Sequence, residues 1–331
     1  MDAEAKEVVK QIIPPLTFST HKGQGGRVGV LGGCRDYTGA PYYAAMSALR
    51  TGAELSHVFC SEGAALAIKS YSPELIVHAV VPDTVPDDSD AAVAAAVAAV
   101  TRWFPALDVL VIGPGLGRDA HMLALAARVA QCAVAARLPL VVDGDGLWMV
   151  AHNLAVVRGA HTVVLTPNLA EYSRLAAAVA GRDPAAARAT DAVPPVQELA
   201  AALAGPTVLQ KGARSHGGAD VVAAAVDSTP VLCCAVPGAP RRCGGQGDVL
   251  AGATAAFFAW LARHNRDAPE AALSPVHAAL GAAALTRTAA RLAFESMRRA
   301  MLTTDIIQCL GDAFESLYGG DSNCEDEDED E

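Results

Sequence analysis

Aromatic residues are scarce in this 331-residue chain: 5% of positions, against 52% apolar residues overall, with alanine supplying much of the difference. A core short of large rings must close through near contact of small side chains between helices and sheet. Cysteine pairs are also missing. None of the eight cysteines has C-x-x-C spacing, and Cys233 and Cys234 are adjacent on an apolar run, so they face opposite sides of a strand. A disulfide scaffold is excluded, and a reducing compartment is expected. No run of 18 strongly apolar residues occurs, which argues against a membrane span. The opening MDAEAKEVVKQII carries acids and lacks the Arg/Ser bias of a transit peptide, so a soluble, cytoplasmic protein is expected.

Several chemical signatures are absent as well. Gly-Lys never occurs, so there is no Walker A loop. GPGLG after a strand approaches a dinucleotide fingerprint, but Arg118 stands where the third glycine of G-x-G-x-x-G would fall, which argues against a hydride-transfer enzyme. The nine histidines are scattered, with no H-E-x-x-H and no Cys/His pairing at zinc spacing. A G-x-S-x-G nucleophile elbow is missing. The formal charge is −11, but residues 325–331 are seven consecutive acids, leaving −4 for the remainder. A body that mildly acidic argues against a nucleic-acid surface, and the tail reads as a disordered, solvated end over 321–331.

What is present is a regular alternation. Residues 2–13 read as a short amphipathic helix before Pro14-Pro15, and a Gly-rich approach leads to a strand near Arg27–Leu31. Strands at 55–60 and 75–81 enclose a helix near 62–70, and 41–52 and 91–100 have helical character. VLVIGPGLG (109–117), PLVVDGDG (139–146), TVVLTPN (162–168) and TVLQKG (207–212) are β-rich runs, each stopping at Gly, Asp, Pro or Asn. Helical segments between them give βαβ spacing, hence parallel strands covered on both faces. Right-handed crossovers place all four strand ends on one edge, where open α/β sheets bind ligands. A hairpin from 219–226 and 231–236 follows, then helices over 249–264, 270–292 and 303–317; 181–195 is a loop with a short helical insert. With no linker and no repeat, residues 1–320 are expected to form one domain.

The chain is organised around GAPRRCGGQGDVLAG (238–252). Gly244, Gly245 and Gly247 permit close backbone approach to a ligand, and an apolar helical run follows, so free N–H groups at a helix start suit phosphate oxygens. Asp248 is open to two readings there, an N-cap or a base facing the same pocket. Asn168 and Glu171 can form a capping box, or can organise Mg²⁺ through water. Lys211-Gly212 supplies a cation and a flexible joint, or an exposed turn. Asp143 and Asp145 end a buried strand, where carboxylates need partners; they shape the pocket or cap the next helix. Arg241 and Arg242 bind phosphate or anchor the loop, and Cys243 reads as small packing rather than a nucleophile.

Together, Asn168…Glu171 and Gly245-Gln246-Gly247-Asp248 resemble the N-x-x-E and G-x-G-D patterns of the ribokinase-like superfamily. The blocks HKGQGGRVGVLGG (21–33), SPEL (72–75), GPGLGRD (113–119), DGDGL (143–147), LTPNLAEYSRL (165–175) and RRCGGQGD (241–248) resemble, in order, the ATP-dependent (S)-NAD(P)H-hydrate dehydratase family. The resemblance implies a ribokinase-like three-layer α/β/α fold with a mostly parallel central sheet. It implies a repair reaction in which the S epimer of NADHX or NADPHX, hydrated at C6 of the nicotinamide, loses water at the expense of ATP, with Mg²⁺. Asp248 is then the base. The hydrate contacts Gly115, Asn168, Leu169, Ala170, Glu171, Tyr172, Ser173, Arg174 and Asp248. ATP lies against Lys211, Gly212, Ala213, Arg214 and Ser215, and against Gly238, Ala239, Pro240, Arg241, Arg242, Cys243, Gly244, Gly245, Gln246 and Gly247. Glu171 serves Mg²⁺ indirectly, through water. Ser215 departs from the acidic residue common in the family. A homo-oligomer, and action alongside an NAD(P)HX epimerase, are compatible with the resemblance. The same fold, anion hole and base would also serve a kinase of a small hydroxylated metabolite.

Overall fold

The computed structural model describes residues 1–18, 23–82, 89–213, 218–224 and 230–319. Arg214, Ser215 and the acidic tail lie outside the described residues. Nine strands form one sheet in the order β3-β2-β1-β4-β5-β6-β7-β8-β9. They are β1 (Arg27–Leu31), β2 (Leu55–Ser61), β3 (Leu75–Val81), β4 (Val109–Ile112), β5 (Leu140–Val142), β6 (Val163–Leu165), β7 (Thr207–Ala213), β8 (Ala219–Ala223) and β9 (Leu232–Cys234). β3 through β7 in that order pair in parallel; at one edge β8 pairs antiparallel with β7, and β9 antiparallel with β8. The chain moves outward from β1 to β2 and β3, then returns to place β4 on the other side of β1. That reversal is the switch point at which open α/β sheets leave a crevice beyond the strand ends.

The central strands are short because they need only cross the core. VLVI, LVV and VVL of β4, β5 and β6 are wholly buried, as expected of parallel strands covered on both faces. Alternate residues feed two separate cores. Val28, Val30, Val109, Val111, Val141 and Val164 face α1 (Ala3–Ile12), α2 (Gly39–Thr51), α3 (Glu62–Tyr71), α9 (Gln246–Asp267), α10 (Pro275–Met297), α11 (Thr303–Gln308) and α12 (Leu310–Tyr318). Leu31, Leu110, Ile112, Leu140, Val142 and Leu165 face α4 (Ser89–Thr101), α5 (Ala120–Ala135), α6 (Asp145–His152), α7 (Leu169–Val179) and α8 (Val196–Leu203). The result is the expected three-layer α/β/α arrangement.

The shortage of aromatics is met by tight helix contact. Gly252 of α9 lies against the Ala44 carbonyl of α2 so closely that any Cβ would overlap it, and Gly281 of α10 leaves room for Phe257. Those two positions fix how α9 lies, and α9 carries the signature loop at its head. The expected helix over 303–317 is two helices, broken at Cys309, whose N–H reaches the carbonyls of both Asp305 and Ile306. In the β2–β3 half of the sheet, His57 Nδ1 and His78 Nε2 are 3.0 Å apart, and the His78 ring lies 4.6 Å from that of Trp103.

Candidate active site

Consecutive strand ends are tied to one another by backbone bonds. Gly113 N–H donates to Leu31 O, Asp143 N–H to Ile112 O, Thr166 N–H to Val142 O, and Lys211 N–H to Pro167 O. This stepwise ladder brings the DGDG, TPN and KG motifs side by side at one rim. At its centre Asp143, 3% exposed, accepts from Lys211 Nζ at 2.6 Å and from Thr166 Oγ1 at 2.8 Å. Asp143 therefore shapes the pocket rather than capping a helix. Asp145 also does not act as the cap: it sits inside the first turn of α6, where its carboxylate holds Gly117 N–H at 3.0 Å and Arg118 Nε at 3.1 Å. Lys211 is no exposed turn residue either, with 17% of its side chain accessible.

Glu171 meets the capping-box expectation. It completes a capping box with Asn168, whose Oδ1 accepts the N–H groups of Ala170 and Glu171. Its Oε2 accepts from Asn168 N–H at 2.8 Å and lies 3.9 Å from Lys211 Nζ. Burial pushes the Glu171 carboxyl above its usual range, against the pull of Lys211. For Lys211, burial favours the neutral amine, but Asp143 and Glu171 outweigh it and the ammonium is held more firmly than usual.

The signature loop closes over this cluster. Gly245, at φ 97°, is the N-cap residue of α9, and Asp248 is the third residue of the helix, so the N-cap reading of Asp248 does not hold. Gly245 has no alternative: a Cβ would run into the Tyr43 ring and come within 3.0 Å of Thr303. A Cβ on Gly247 would sit 3.2 Å from Lys211 Nζ and 3.5 Å from an Asp143 oxygen. The first turn of α9 thus rests on the Lys211–Asp143 pair, with backbone in place of side chains. Asp248 accepts no hydrogen bond from any described residue. Burial, and then the nearby Asp143 charge, raise its carboxyl well above the usual range, while Lys211 partly offsets them. A carboxyl whose proton affinity is raised in this way is suited to general-base work.

The rest of the loop is held by groups that sequence motifs did not reveal. Thr303 Oγ1, at the start of α11, donates to Gly244 O and lies 3.4 Å from Cys243 Sγ. Arg241 Nε donates to Met301 O, and Gln246 Nε2 to Arg241 O. Arg241 is therefore an anchor. Arg242 is exposed and its guanidinium approaches Gly212, joining the two expected ATP segments at one place. Asp220 accepts from Gly212 N–H at 2.7 Å and pairs with Arg287 at 3.4 Å. Arg287 also donates to Val236 O and Gly218 O and packs near Gly238. Ala239 packs against the core and Pro240 is exposed, while Ala213 ends β7.

On the opposite side, Gly115 at φ 59° accepts from the N–H groups of Gly33 and Cys34 and comes within 2.5 Å of Tyr37 O at the position of a Cβ. Of the 168–174 segment, Asn168, Leu169, Ala170, Glu171 and Arg174 reach the surface of the rim. Two side chains of the expected substrate segment do not reach it. Tyr172 is fully buried in the second core, its hydroxyl donating to Pro194 O, because the helical period turns that position inward. Ser173 is buried and bonds Leu169 O within its own helix.

No three Asp, Glu, His or Cys side chains among the described residues converge to hold a metal directly. The rim carboxylates Asp143, Glu171 and Asp248 nevertheless offer hard oxygen ligands to a hydrated divalent cation, which suits binding through water.

The model of the family described as NAD(P)H-hydrate dehydratase matches residues 28–311. An ATP-dependent (S)-NAD(P)H-hydrate dehydratase of Vitis vinifera is 41% identical over 324 residues, covering 96% of this chain and 88% of the relative. Among solved structures, a ribokinase-like superfamily protein of Enterococcus faecalis aligns with a TM-score of 0.68 at 22% identity, over 95% of each chain. The ADP/ATP-dependent NAD(P)H-hydrate dehydratase of Bacillus subtilis, co-crystallised with ATP/Mg²⁺, aligns with a TM-score of 0.64 at 20% identity, over 94% of this chain and 97% of that one. At these identities the structural likeness is one of fold.

Proposed function

The chain belongs to the NAD(P)H-hydrate dehydratase family, and from that premise we propose that its strand-end pocket performs ATP-dependent dehydration of the S epimer of NADHX or NADPHX, giving NAD(P)H, ADP and phosphate. The observation that carries the mechanism is Asp248: a carboxyl of raised proton affinity, without a hydrogen-bond donor among the described residues, at the head of a helix capped by Gly245 with Gly247 in its first turn.

Hydroxide is a poor leaving group, and phosphorylation converts it into a good one. Asp248 takes the proton of the C6 hydroxyl as its oxygen attacks the γ-phosphorus of ATP. Backbone N–H groups of Gly244, Gly245, Gln246 and Gly247 hold the charge on the transferring group, in a turn where the helix dipole adds to them. The ring nitrogen then expels phosphate from C6, and loss of a proton from C5 restores the dihydronicotinamide. Lys211, kept charged by Asp143 and Glu171, lies under the same turn and offsets phosphate charge. When bound, Mg²⁺ would neutralise charge on the ATP phosphates, and Glu171 would hold its water shell.

Gly115, Asn168, Leu169, Ala170, Glu171 and Arg174 form the hydrate side. Lys211, Gly212 and the 238–247 loop form the ATP side. One domain over 1–320 carries both. Cytoplasmic residence accords with the described cysteines, which form no disulfide with one another, and no described helix is long and apolar enough to cross a membrane. A supply of the S epimer from an NAD(P)HX epimerase completes the repair. The test follows absorbance at 340 nm with acid-prepared NADHX, Mg²⁺ and ATP or ADP. A rise requiring ATP is expected. A rise with ADP alone would change the phosphoryl donor. No rise, with substrate that a known dehydratase repairs, would overturn the reading in favour of a small-alcohol kinase.

A further inference from the structure

Three elements deliver one cluster, of which only Arg174 has a role in the reading above. Arg118 follows the β4 loop, Trp148 is in α6 and Arg174 is in α7. The Arg118 guanidinium carbon lies 4.1 Å from the Trp148 ring centre, and that of Arg174 lies 5.4 Å from it. Both distances fall within cation–π range. Two like charges are thus gathered at one ring, and only one has a carboxylate partner among the described residues: Asp145, 3.1 Å from Arg118. The carboxylate nearest in the chain to Arg174 is Glu171, already engaged by Asn168 and Lys211. Asp145 holds one of the two charges, and Glu171 lies within electrostatic reach of the other. Guanidinium groups laid on an aromatic face keep in-plane N–H groups for an anion such as phosphate; in Arg118 these are the terminal ones, since Nε is held by Asp145.

The position specifies which anion. The reacting nicotinamide must lie at Asp248, above Asp143 and Lys211. The β7 side of the rim is occupied by the segments assigned to ATP. The remainder of a dinucleotide therefore runs the other way along the strand ends, across Gly115 and Asn168, toward the heads of α6 and α7. Asp145 connects the two ends, since it holds Arg118 and also Gly117 N–H of the GPGLG turn.

We propose that Arg118, seated on Trp148 beside Arg174, binds a phosphate in the adenosine half of the dinucleotide and sets the preference for dinucleotide over mononucleotide hydrates. The inference rests on the dehydratase reading. Two phosphates share this chemistry: the adenosine-side phosphate of the pyrophosphate, and the 2′-phosphate of NADPHX.

The test compares wild type, Arg118→Gln and Trp148→Leu on hydrated NADH, hydrated NADPH and hydrated reduced nicotinamide mononucleotide, which lacks the adenosine half. Arg118→Gln is expected to raise KM for the dinucleotides roughly tenfold, the scale of one charge-assisted hydrogen bond, with kcat and the mononucleotide KM within about twofold of wild type. A rise for both dinucleotides identifies the pyrophosphate, and a rise for NADPHX alone identifies the 2′-phosphate. Trp148→Leu should give the same pattern more weakly. Unchanged dinucleotide KM values, or an equal rise for the mononucleotide, would overturn the proposal. Wild-type protein that repairs none of the three hydrates would instead overturn the dehydratase reading. NADPH binding followed by its fluorescence would then decide the subsite, with equal Kd for wild type and Arg118→Gln counting against it.

Discussion

Two buried groups of ionisable side chains lie in the same sheet, and they are unlike. Around Lys211, Asp143 and Glu171 are ion-paired or bonded, yet Asp248 is left without a donor and with its carboxyl pushed up. Between β2 and β3, His57 and His78 answer each other across 3.0 Å, and burial lowers both, His78 to about 4. Burial perturbs both groups, so a perturbed pKa alone does not mark a site. The difference is closure. The histidine pair needs no further partner, being neutral and hydrogen-bonded, whereas the carboxylate cluster stands at converging loops with the Asp248 carboxyl left without a donor among the described residues. The first arrangement stabilises an edge of the fold, and the second is ready for substrate.

The sharpest way to break this contrast is Asp248→Asn. Turnover should fall by about 10³-fold or more, the scale of a lost general base, while ATP binding measured by calorimetry is largely retained. Near-normal activity in that variant would remove Asp248 from the mechanism. In the wild-type enzyme, kcat/KM should decline as the pH falls through a value above the ordinary carboxylate range, because Asp248 must be ionised to act and its proton is held more tightly than usual. A profile flat down to the normal carboxylate range would place the base elsewhere.

Lys211→Met tests how far the cluster is also structural. A raised KM for ATP follows from its placement, but Asp143 is nearly inaccessible and would lose its cation. Denaturant unfolding should therefore show a loss of about 3 kcal/mol, as for a buried pair broken from one side. A variant as stable as wild type would mean that Asp143 finds another partner. Thr303→Val removes the hydroxyl bond to Gly244 O. About 1 kcal/mol, expressed as a several-fold rise in KM for ATP, is expected, and an unaltered KM would show that the loop holds its shape without it.

The histidine pair supplies the smallest effect and the control. With the folded pKa of His78 below its ordinary value, the unfolded chain binds more protons between about pH 6.5 and 4. Its contribution to stability is complete above 6.5 and is lost as the pH falls toward 4. His78→Phe should flatten the acid decline of Tm by about 2 °C and leave kcat/KM at neutral pH as it was. Lost activity in that variant would erase the distinction drawn between the two groups.

Much of the site was legible because its residues end strands. The runs at 109–117, 139–146, 162–168 and 207–212 stop at Gly, Asp, Asn and Lys-Gly, and βαβ topology puts such ends on one edge. The capping box of Asn168 and Glu171 is local and could be read from spacing alone. Tyr172 and Ser173 illustrate the opposite case. A contiguous motif suggests that all seven residues from 168 to 174 meet the ligand, but a helix turns some of them into the core. Thr303, Met301 and Arg287 carry no motif. They matter because α10 and the segment that follows it return to the loop from 51 to 60 positions away.

By itself, the sequence determined where strands begin and end, which loops must be glycine, and which signature block follows them, since all of these depend on neighbours a few residues apart. Only the tertiary structure decided which charges are already matched. Lys211 meets Asp143 across 68 positions, Asp145 is turned to Gly117 and Arg118, and the N-cap of α9 is Gly245, which leaves Asp248 open. Pairing between distant residues is set by strand order and helix packing, and a buried charge takes its chemistry from whichever partner that packing brings within reach.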